Sequence, residues 1–331
     1  MAEASKIDKE NMISVLDNFW KQCDDASRLG KNIVVGLPVN GIVICGMGGS
    51  AIPGDIIQSY IDVSYPIIVN RGYDIPRWVD KKTLVFVISY SGNTEESLSC
   101  FRQAKLKEAK IVGISSGGKL EKFCFQGSVP FIKVPSGIQP RDASGYLTLP
   151  LLNVLNSSRI INMPSDEYEG LMKSLAKDYH DKAEELAKKL VNKIPIIYAS
   201  GRMACVARAW KTKINENAKV QAFWNEFPEL NHNEMVGFTD LKGDFFVIMI
   251  EDEKDHPRVA KRMKITAGLL KSKGCHVLTM KVSGKNRLSN IFSTILMGSY
   301  VGYYLALEYG TDPSPVVLVE NLKKDLGEYI K

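Results

Sequence analysis

The strongest constraint on this chain is an alternation of apolar strands with helical patterns that runs through the sequence twice. Apolar, β-branched runs that alternate with helices are typical of a parallel sheet covered by helices on both faces. Corresponding strands in the two halves are separated by 154, 161 and 166 residues. The matched positions are Ile42 with Ile196, Leu84 with Phe245, and Ile111 with Val277. This near-constant offset predicts a structural duplication, and the predicted fold class is α/β with two parallel sheets.

The length of 331 residues is enough for two fused domains of ordinary size. We predict an N-terminal domain over residues 1–150 and a C-terminal domain over residues 193–331. Residues 151–192 are rich in helix-forming residues and are predicted to form connecting helices. Two further helices are expected near the C-terminus, over residues 289–307 and 320–330.

Composition and charge exclude several classes of protein. Hydrophobic residues make up 45% and charged residues 24% of the chain, so a disordered protein is not expected. The net charge of +6 comes without a block of like charges, which argues against a nucleic-acid partner. No apolar run approaches the roughly 20 residues of a membrane span, and the polar residues 1–11 do not resemble a signal peptide. The six cysteines form no Cys-x-x-Cys pair, which favours a reducing, cytoplasmic location over disulfides or a zinc site.

The stretch Val85–Ser97 combines a buried strand with a polar turn and the start of a helix. It begins as an apolar, β-branched run and then changes to hydroxyl residues, a glycine and an asparagine. Asn93 followed by Glu96 has the spacing of a helix cap with an acid at its third position. We therefore predict that Asn93 caps a helix that begins here.

This turn is a candidate anion site. The first N–H groups of a helix are free and its N-terminal dipole end is positive, while Ser89, Ser91 and Thr94 can donate further hydrogen bonds. A phosphate monoester is the natural ligand for such a turn. The stretch by itself is equally compatible with an ordinary strand-to-helix turn that binds nothing.

A second glycine-rich turn follows the first strand of the chain. Gly46, Gly48 and Gly49 precede Ser50, which lies where a helix would start. The spacing superficially resembles a dinucleotide fingerprint, but position 51 is alanine and no acid closes the next strand. A dinucleotide cofactor is therefore not expected.

Four short motifs, taken together and in their order along the chain, closely resemble the bifunctional phosphoglucose/phosphomannose isomerases of archaea and some bacteria. The likeness extends from about residue 40 to 324, and the last motif is the most specific. The motifs are Gly-Met-Gly-Gly-Ser (46–50), Ser-Tyr-Ser-Gly-Asn-Thr-Glu-Glu-Ser (89–97), Pro-Arg-x-Ala-x-Gly-Tyr (140–146) and Asn-Glu-Phe-Pro-Glu-Leu-Asn-His-Asn-Glu (225–234).

The resemblance implies a fold, an assembly and an activity. The fold would be two sugar isomerase (SIS) subdomains, each a flavodoxin-like parallel sheet flanked by helices, in an obligate homodimer. The activity would be interconversion of glucose 6-phosphate and mannose 6-phosphate with fructose 6-phosphate through a cis-enediol, without metal or redox cofactor. A non-catalytic SIS sensor of sugar phosphates is the alternative, although the chain has no spare length for a regulatory module. Other SIS isomerases are commonly single units, which argues against them.

The resemblance also implies catalytic residues. Glu216, near the end of a long helix, matches the base that moves a proton between C1 and C2. His232 matches the ring-opening histidine, which in the family comes from the partner subunit. Lys323, favoured over its neighbour Lys324, matches a lysine that assists ring opening, and Arg141 would stabilise the enediolate.

Further roles follow from the same likeness. Ser314, between two prolines, matches a small hydroxyl residue that lets either C2 configuration bind. Glu226, Glu229 and Glu234 surround His232 and would either order its imidazole or line the dimer interface. The residues implied in phosphate binding are Gly49, Ser50, Ser89, Ser91 and Thr94.

The other three histidines have no such polar neighbours. We interpret His180, His256 and His276 as surface or packed residues, because they lie in helical or strand contexts.

Overall fold

The computed structural model describes residues 4–327. Its helices alternate with its strands along most of the chain. The strands are β1 (Gly41–Cys45), β2 (Ile67–Asn70), β3 (Thr83–Ile88), β4 (Lys110–Ser115), β5 (Phe131–Lys133), β6 (Ile194–Ser200), β7 (Phe223–Phe227), β8 (Phe245–Asp252) and β9 (His276–Val282).

The helices vary from one turn to six turns in length. They are α1 (Ala4–Ile7), α2 (Met12–Asp17), α3 (Phe19–Ala26), α4 (Ile52–Tyr60), α5 (Glu95–Leu106), α6 (Gly118–Gln126), α7 (Ser144–Ser157), α8 (Glu167–Leu175), α9 (His180–Leu190), α10 (Ala204–Lys213), α11 (Pro257–Ser272), α12 (Arg287–Glu308) and α13 (Val317–Leu326). The last residues of the predicted helix over 320–330 lie outside the described part of the chain. Across residues 4–327, no helix is both long and apolar enough to cross a bilayer.

The chain forms two compact units whose bounds differ from the predicted domains. One unit comprises Asn18–Tyr168 and the chain from Val317 onward, and it contains the first sheet. The other comprises the chain up to Asp17 together with Glu169–Val316, and it contains the second sheet. Each unit is therefore built from two separate segments of the sequence.

Packing of the flanking helices explains these bounds. In the unit with the second sheet, α2 lies against α12, where Tyr300 donates a hydrogen bond from its hydroxyl to Asp17 (2.8 Å). In the unit with the first sheet, α3 lies against the start of α7. Gln22 accepts hydrogen bonds there from the backbone N–H groups of Gly145 (2.8 Å) and Tyr146 (3.2 Å). Helix α7 thus packs against α3 in the unit with the first sheet.

The first sheet has the flavodoxin-like order that the sequence predicts. Within the described residues it contains five parallel strands in the order β2-β1-β3-β4-β5. Every residue of β3 is buried, since helices cover both faces. Val85 of β3 pairs with Val43 of β1 on one side and Ile111 of β4 on the other.

The second sheet repeats this arrangement and confirms the predicted pair of parallel sheets. Within the described residues it contains four parallel strands in the order β7-β6-β8-β9. Ile197 of β6 pairs with Trp224 of β7 and Ile248 of β8. The edge strand β7 was not predicted, because its five residues, Phe-Trp-Asn-Glu-Phe, neither alternate nor form a continuous apolar run.

All six cysteines are free and buried. Burial raises the pKa of Cys124 to about 12. The pKa of Cys100 is lowered instead, mainly by its hydrogen bond with Cys45 and also by one from Asn70. Cys100 is nevertheless 1% exposed, so burial alone shields it.

The native protein is expected to react with fewer than about one equivalent of dithiobis-nitrobenzoate at pH 8, because only an exposed thiolate attacks the reagent. A thiol with a pKa near 12 is about one part in ten thousand thiolate at this pH. Absorbance at the released nitrothiolate band measures the reaction, and denatured protein should release six equivalents. Rapid release of several equivalents from folded protein would contradict the buried placement.

Candidate active site

The carboxyl ends of β1 and β3 meet where the strand order of the first sheet changes direction. The chain continues from β1 to β2 on one side, and from β3 to β4 and β5 on the other. Ligands of open α/β sheets bind outside the strand ends at such a switch point. The turns after the two strands are joined directly, because the backbone N–H of Tyr90 donates a hydrogen bond to Ser50 Oγ (3.0 Å). Ser50 is buried, so its hydroxyl is held at this edge of the sheet.

The turn after β3 places two of the predicted phosphate-binding hydroxyls side by side. Ser89 is fully buried, and its Oγ lies 2.9 Å from Thr94 Oγ1. Ser91 is exposed, and its Oγ accepts a hydrogen bond from Asn93 N–H (3.2 Å). Helix α5 begins directly after Thr94, so its first backbone N–H groups lie beside these hydroxyls. Hydroxyls combined with a helix N-terminus form a site suited to an anion.

The cap of α5 is not the predicted one. The helix begins at Glu95 with Thr94 as its N-cap residue, so the prediction of Asn93 as the cap was wrong. Asn93 Oδ1 instead accepts a hydrogen bond from Lys119 N–H (3.0 Å) at the start of α6. Its side chain therefore links the turn after β3 to the turn after β4.

Glycines allow these two turns to approach each other closely. Gly92 has φ +71°, and a Cβ at this position would lie 1.7 Å from the carbonyl oxygen of Gly117. Gly118 has φ +75°, and a Cβ there would lie 2.5 Å from the carbonyl oxygen of Ser91. The positive φ and the short distance to a backbone oxygen each exclude a side chain. The shape of the turn after β3, called the phosphate turn here for its predicted ligand, therefore depends on glycine.

Arg141 lies in a short 3₁₀ turn, Pro140–Asp142, that packs against the glycine-rich turn after β1. A Cβ at Gly49 would lie 2.6 Å from the carbonyl oxygen of Pro140 and 2.7 Å from Arg141 N. Arg141 is 2% exposed, and its Nη1 lies 3.4 Å from Gln139 Oε1. A buried guanidinium is uncommon for a surface loop and is typical of a site that binds negative charge.

Glu216 lies on a single π-helical turn, Ile214–Ala218, that continues α10. The sequence predicts an ordinary helix end here. Isolated π turns inside helices occur frequently at functional sites. Glu216 is half-buried, so it is partly accessible to solvent.

Two glycines of α12 allow it to pack closely against α10, the helix that the π-helical turn continues. A Cβ at Gly298 would lie 2.5 Å from Trp210 Cδ1, and a Cβ at Gly302 would lie 3.0 Å from the carbonyl oxygen of Lys213. Trp210 is fully buried and donates a hydrogen bond from its indole N–H to the carbonyl oxygen of Thr294 (2.6 Å). The segment that carries Glu216 is therefore fixed against α12 without a gap.

Lys219 joins the turn of Glu216 to the loop of Ser314. Its Nζ donates hydrogen bonds to the carbonyl oxygens of Glu216 (2.5 Å) and Pro313 (2.9 Å). Ser314 is 1% exposed, and its backbone N–H donates to Asp312 Oδ1 (3.0 Å). Lys219 was missed by the sequence reasoning, since nothing in its local pattern distinguishes it from a surface lysine.

His232 is exposed and ends a 3₁₀ turn, Glu229–His232, that follows β7. Two of the surrounding carboxylates bond to other residues. Glu234 accepts hydrogen bonds from Asn225 Nδ2 and from the hydroxyl of Tyr198 (2.6 Å), while Glu229 accepts one from Asn233 Nδ2 (2.7 Å). These contacts stabilise the fold of the motif around His232.

Tyr198 is fully buried beneath the same motif. Burial, followed by the hydrogen bond to Glu234, raises the pKa of Tyr198. The phenol is therefore protonated at neutral pH and can donate this hydrogen bond.

Lys323 and Lys324 both lie on α13 and are exposed. Helix α13 belongs to the same compact unit as the phosphate turn and Arg141. Glu216, His232 and Ser314 belong to the other unit. In the first of these units, the contacts above bring Gly49 next to Arg141 and Ser50 next to the turn after β3. In the other unit, Lys219 joins the backbone of Glu216 to the Ser314 loop.

The remaining histidines have local structural partners. His180 lies 3.1 Å from Asp17 and 2.6 Å from the hydroxyl of Tyr304. His256 accepts a hydrogen bond from the backbone N–H of Arg258 at the start of α11, and His276 stacks on Phe246. Across residues 4–327, no group of three or more His, Cys, Asp or Glu side chains is placed to hold a metal ion.

Comparison with known proteins shows which family the chain belongs to. The family model of the bacterial phospho-glucose isomerase C-terminal SIS domain matches residues 179–326. A bifunctional phosphoglucose/phosphomannose isomerase from Caldicellulosiruptor bescii is 41% identical, over 96% of this chain and 99% of that protein. One from Aquifex aeolicus is 34% identical, over 97% of this chain and 99% of that protein.

A solved structure agrees with the fold. The C-terminal domain of glucosamine-fructose-6-phosphate aminotransferase from Francisella tularensis has a TM-score of 0.69 at 15% identity, with 92% of this chain and 98% of that chain covered. At this identity the likeness concerns the fold alone. The full-length similarity to the two curated enzymes is the stronger finding, and the chain belongs to the bifunctional phosphoglucose/phosphomannose isomerase family.

Proposed function

We propose that the protein is an aldose–ketose isomerase that interconverts glucose 6-phosphate and mannose 6-phosphate with fructose 6-phosphate. The observation that carries the proposal is the placement of Glu216. It is half-buried and lies on a π-helical turn that packs against α12. A sensor that only binds sugar phosphates needs the phosphate turn but has no use for a fixed carboxylate base. Membership of the family supports the same choice.

The phosphate group is assigned to the turns after β1 and β3. Ser50, Ser89, Ser91 and Thr94 supply hydroxyl donors, and Gly49 and the start of α5 supply backbone N–H groups. The hydrogen bonds and glycine contacts described above fix both turns, so little backbone ordering is needed when a dianion binds. Phosphate binding then orients the sugar for reaction.

The proton-transfer step is assigned to Glu216. The carboxylate removes the proton from C2 of the open-chain aldose, which forms a cis-enediolate with its charge on the C1 oxygen. The proton of the C2 hydroxyl then passes to the C1 oxygen, and the protonated carboxyl group returns its proton to C1 to give the ketose. Arg141 stabilises the negative charge on the enediolate oxygens, since a guanidinium presents N–H donors in a planar fork that matches oxyanions. Atoms and electrons balance without an oxidant, a reductant or a metal.

Ring opening is assigned to His232 of the partner subunit, assisted by Lys323 of α13. This assignment requires a homodimer whose active site is shared between subunits. Ser314 is assigned to tolerance of both C2 configurations, because a small hydroxyl side chain leaves room for either hydroxyl orientation. Its burial keeps the side chain in a defined position.

A coupled assay that starts from fructose 6-phosphate tests the proposal. Separate dehydrogenase couplings for glucose 6-phosphate and mannose 6-phosphate should each report product. Deuterium incorporated at C2 of the aldose products in deuterated solvent provides the mechanistic readout, because the proton carried through an enediol intermediate exchanges with water whereas a direct hydride shift brings in no solvent hydrogen. Tight binding of fructose 6-phosphate without either product would favour the sensor.

A further inference from the structure

We propose that Lys219 is a positioning residue that holds the base Glu216 at a fixed distance from the Ser314 loop. This inference rests on the proposed function, which assigns proton transfer to Glu216 and tolerance of both C2 configurations to Ser314. Lys219 lies directly after the π-helical turn that contains Glu216.

The contacts of the ammonium group define the link. Nζ donates hydrogen bonds to the carbonyl oxygens of Glu216 (2.5 Å), Asn217 (3.3 Å) and Pro313 (2.9 Å). A lysine ammonium has three N–H donors, and three backbone carbonyl oxygens accept from this one although Lys219 is exposed. The group is therefore engaged with the protein backbone, which suits positioning better than contact with substrate.

The backbone at Lys219 supports a dedicated role. Its φ is +60°, in the left-handed region that favours glycine. The residue ends the helical segment, where the exposed carbonyl groups carry partial negative charge and attract a cation. A lysine provides the ammonium here at the cost of local strain, as is found at functional sites.

The link reaches across 94 residues of sequence to Pro313. Ser314 follows directly and is buried, and prolines flank it on both sides. The loop and the π-helical turn are thus tied at one point within the same compact unit. Because a base displaced by about 1 Å can lose about a hundredfold in rate, this tie would affect both turnover and C2 selectivity.

Three substitutions separate the ammonium from the backbone strain. Lys219→Met removes the charge and keeps a long side chain, Lys219→Gly removes the charge and relieves the left-handed conformation, and Lys219→Arg keeps a cation. We expect kcat to fall about 10- to 100-fold in the first two with KM changed by less than about threefold, and the ratio of glucose to mannose 6-phosphate formed to change. Lys219→Arg should recover part of kcat. Lys189→Met, an exposed lysine of α9 in the same unit, is the control and should leave kcat unchanged.

Thermal unfolding distinguishes positioning from simple stabilisation. Lys219→Gly should unfold at or above the temperature of Lys219→Met, because glycine fits the left-handed backbone, yet both should share the loss of kcat. Wild-type kcat in Lys219→Gly would overturn the proposal. So would a loss of activity that disappears when each variant is assayed well below its own unfolding temperature.

Hydrogen–deuterium exchange provides a readout that does not depend on activity. In Lys219→Met, amides of both 214–218 and 313–315 should exchange faster, whereas Lys189→Met should resemble the wild type. Faster exchange in only one segment, or in neither, would show that Lys219 does not couple them. If the wild type had no isomerase activity while this coupled change was observed, the proposed function would fail and the link itself would stand.

Discussion

Replacing Glu216 by glutamine is expected to lower kcat for fructose 6-phosphate by about a thousandfold while the sugar phosphate still binds. Glutamine keeps the shape of the side chain but cannot accept a proton, and positioned acid–base groups contribute about 10²- to 10⁴-fold in rate. Because the lost interaction acts mainly in the transition state, kcat and kcat/KM should fall together. Initial rates in the coupled assay measure the first effect, and calorimetric titration with fructose 6-phosphate measures binding.

Glu184→Gln is the matched control for this experiment. Glu184 is a helical glutamate of the same compact unit, and its ion pair with Lys188 lies on the surface. Such pairs contribute little to stability, so this variant should keep its activity. Turnover in Glu216→Gln within a few-fold of the wild type would show that another group moves the proton.

Replacing Gly92 by alanine is expected to distort the phosphate turn and to destabilise its unit by about 3 kcal/mol or more. The new Cβ would lie 1.7 Å from the carbonyl oxygen of Gly117 and 2.7 Å from its carbonyl carbon, in a backbone with φ +71°. Overpacking alone costs about 1–3 kcal/mol, and the left-handed conformation adds about 1 kcal/mol for alanine. Since backbone atoms cause the clash, the turns after β3 and β4 must separate. We therefore expect a lower unfolding temperature together with a KM raised at least about tenfold.

Gly72→Ala provides the comparison. Gly72 belongs to the same unit, no atom lies within 4 Å of its would-be Cβ, and its φ is outside the left-handed region. Circular dichroism melts and substrate saturation curves on both variants give the two quantities. Equal melts and equal KM values in the two variants would refute the close approach of the turns.

The sheets could be predicted because their inner strands are almost purely apolar. Residues of β3 and most residues of β6 and β8 are buried, which makes their runs conspicuous in the sequence. Strand β7 was missed because it lies at an edge, where Phe223 is 50% exposed and two adjacent polar residues, Asn225 and Glu226, interrupt the apolar ones. Edge strands are defined by pairing with a neighbour more than by their own composition.

Local rules failed where distant backbone segments decide the structure. Asn93 obeys the spacing rule for a cap, yet its side chain bonds to Lys119 of the next turn. That turn comes close only because Gly92 and Gly118 have no side chains. The same explanation applies to Arg141, whose motif gives no sign of burial until Gly49 is placed against it.

The candidate site was identified by family likeness more than by pattern. Ser89 and Thr94 follow from the physics of a strand-to-helix turn, but Glu216 does not differ locally from an exposed helical glutamate. Its π-helical turn packs against α12, and Lys219, which follows in the left-handed conformation, is not one of the residue types that usually adopt it. Such features require tertiary contacts, which periodicity cannot supply.

The spacing of Gly298 and Gly302 on α12 restricts how this enzyme can be re-engineered. A methyl group at Gly298 would press on Trp210 and one at Gly302 on the backbone of Lys213, so either would displace the segment that carries Glu216, the proposed base. Libraries aimed at new sugars should therefore randomise the 313–315 loop and hold these two positions constant. For the same reason, we expect a homologue with larger residues at both positions to lack isomerase activity.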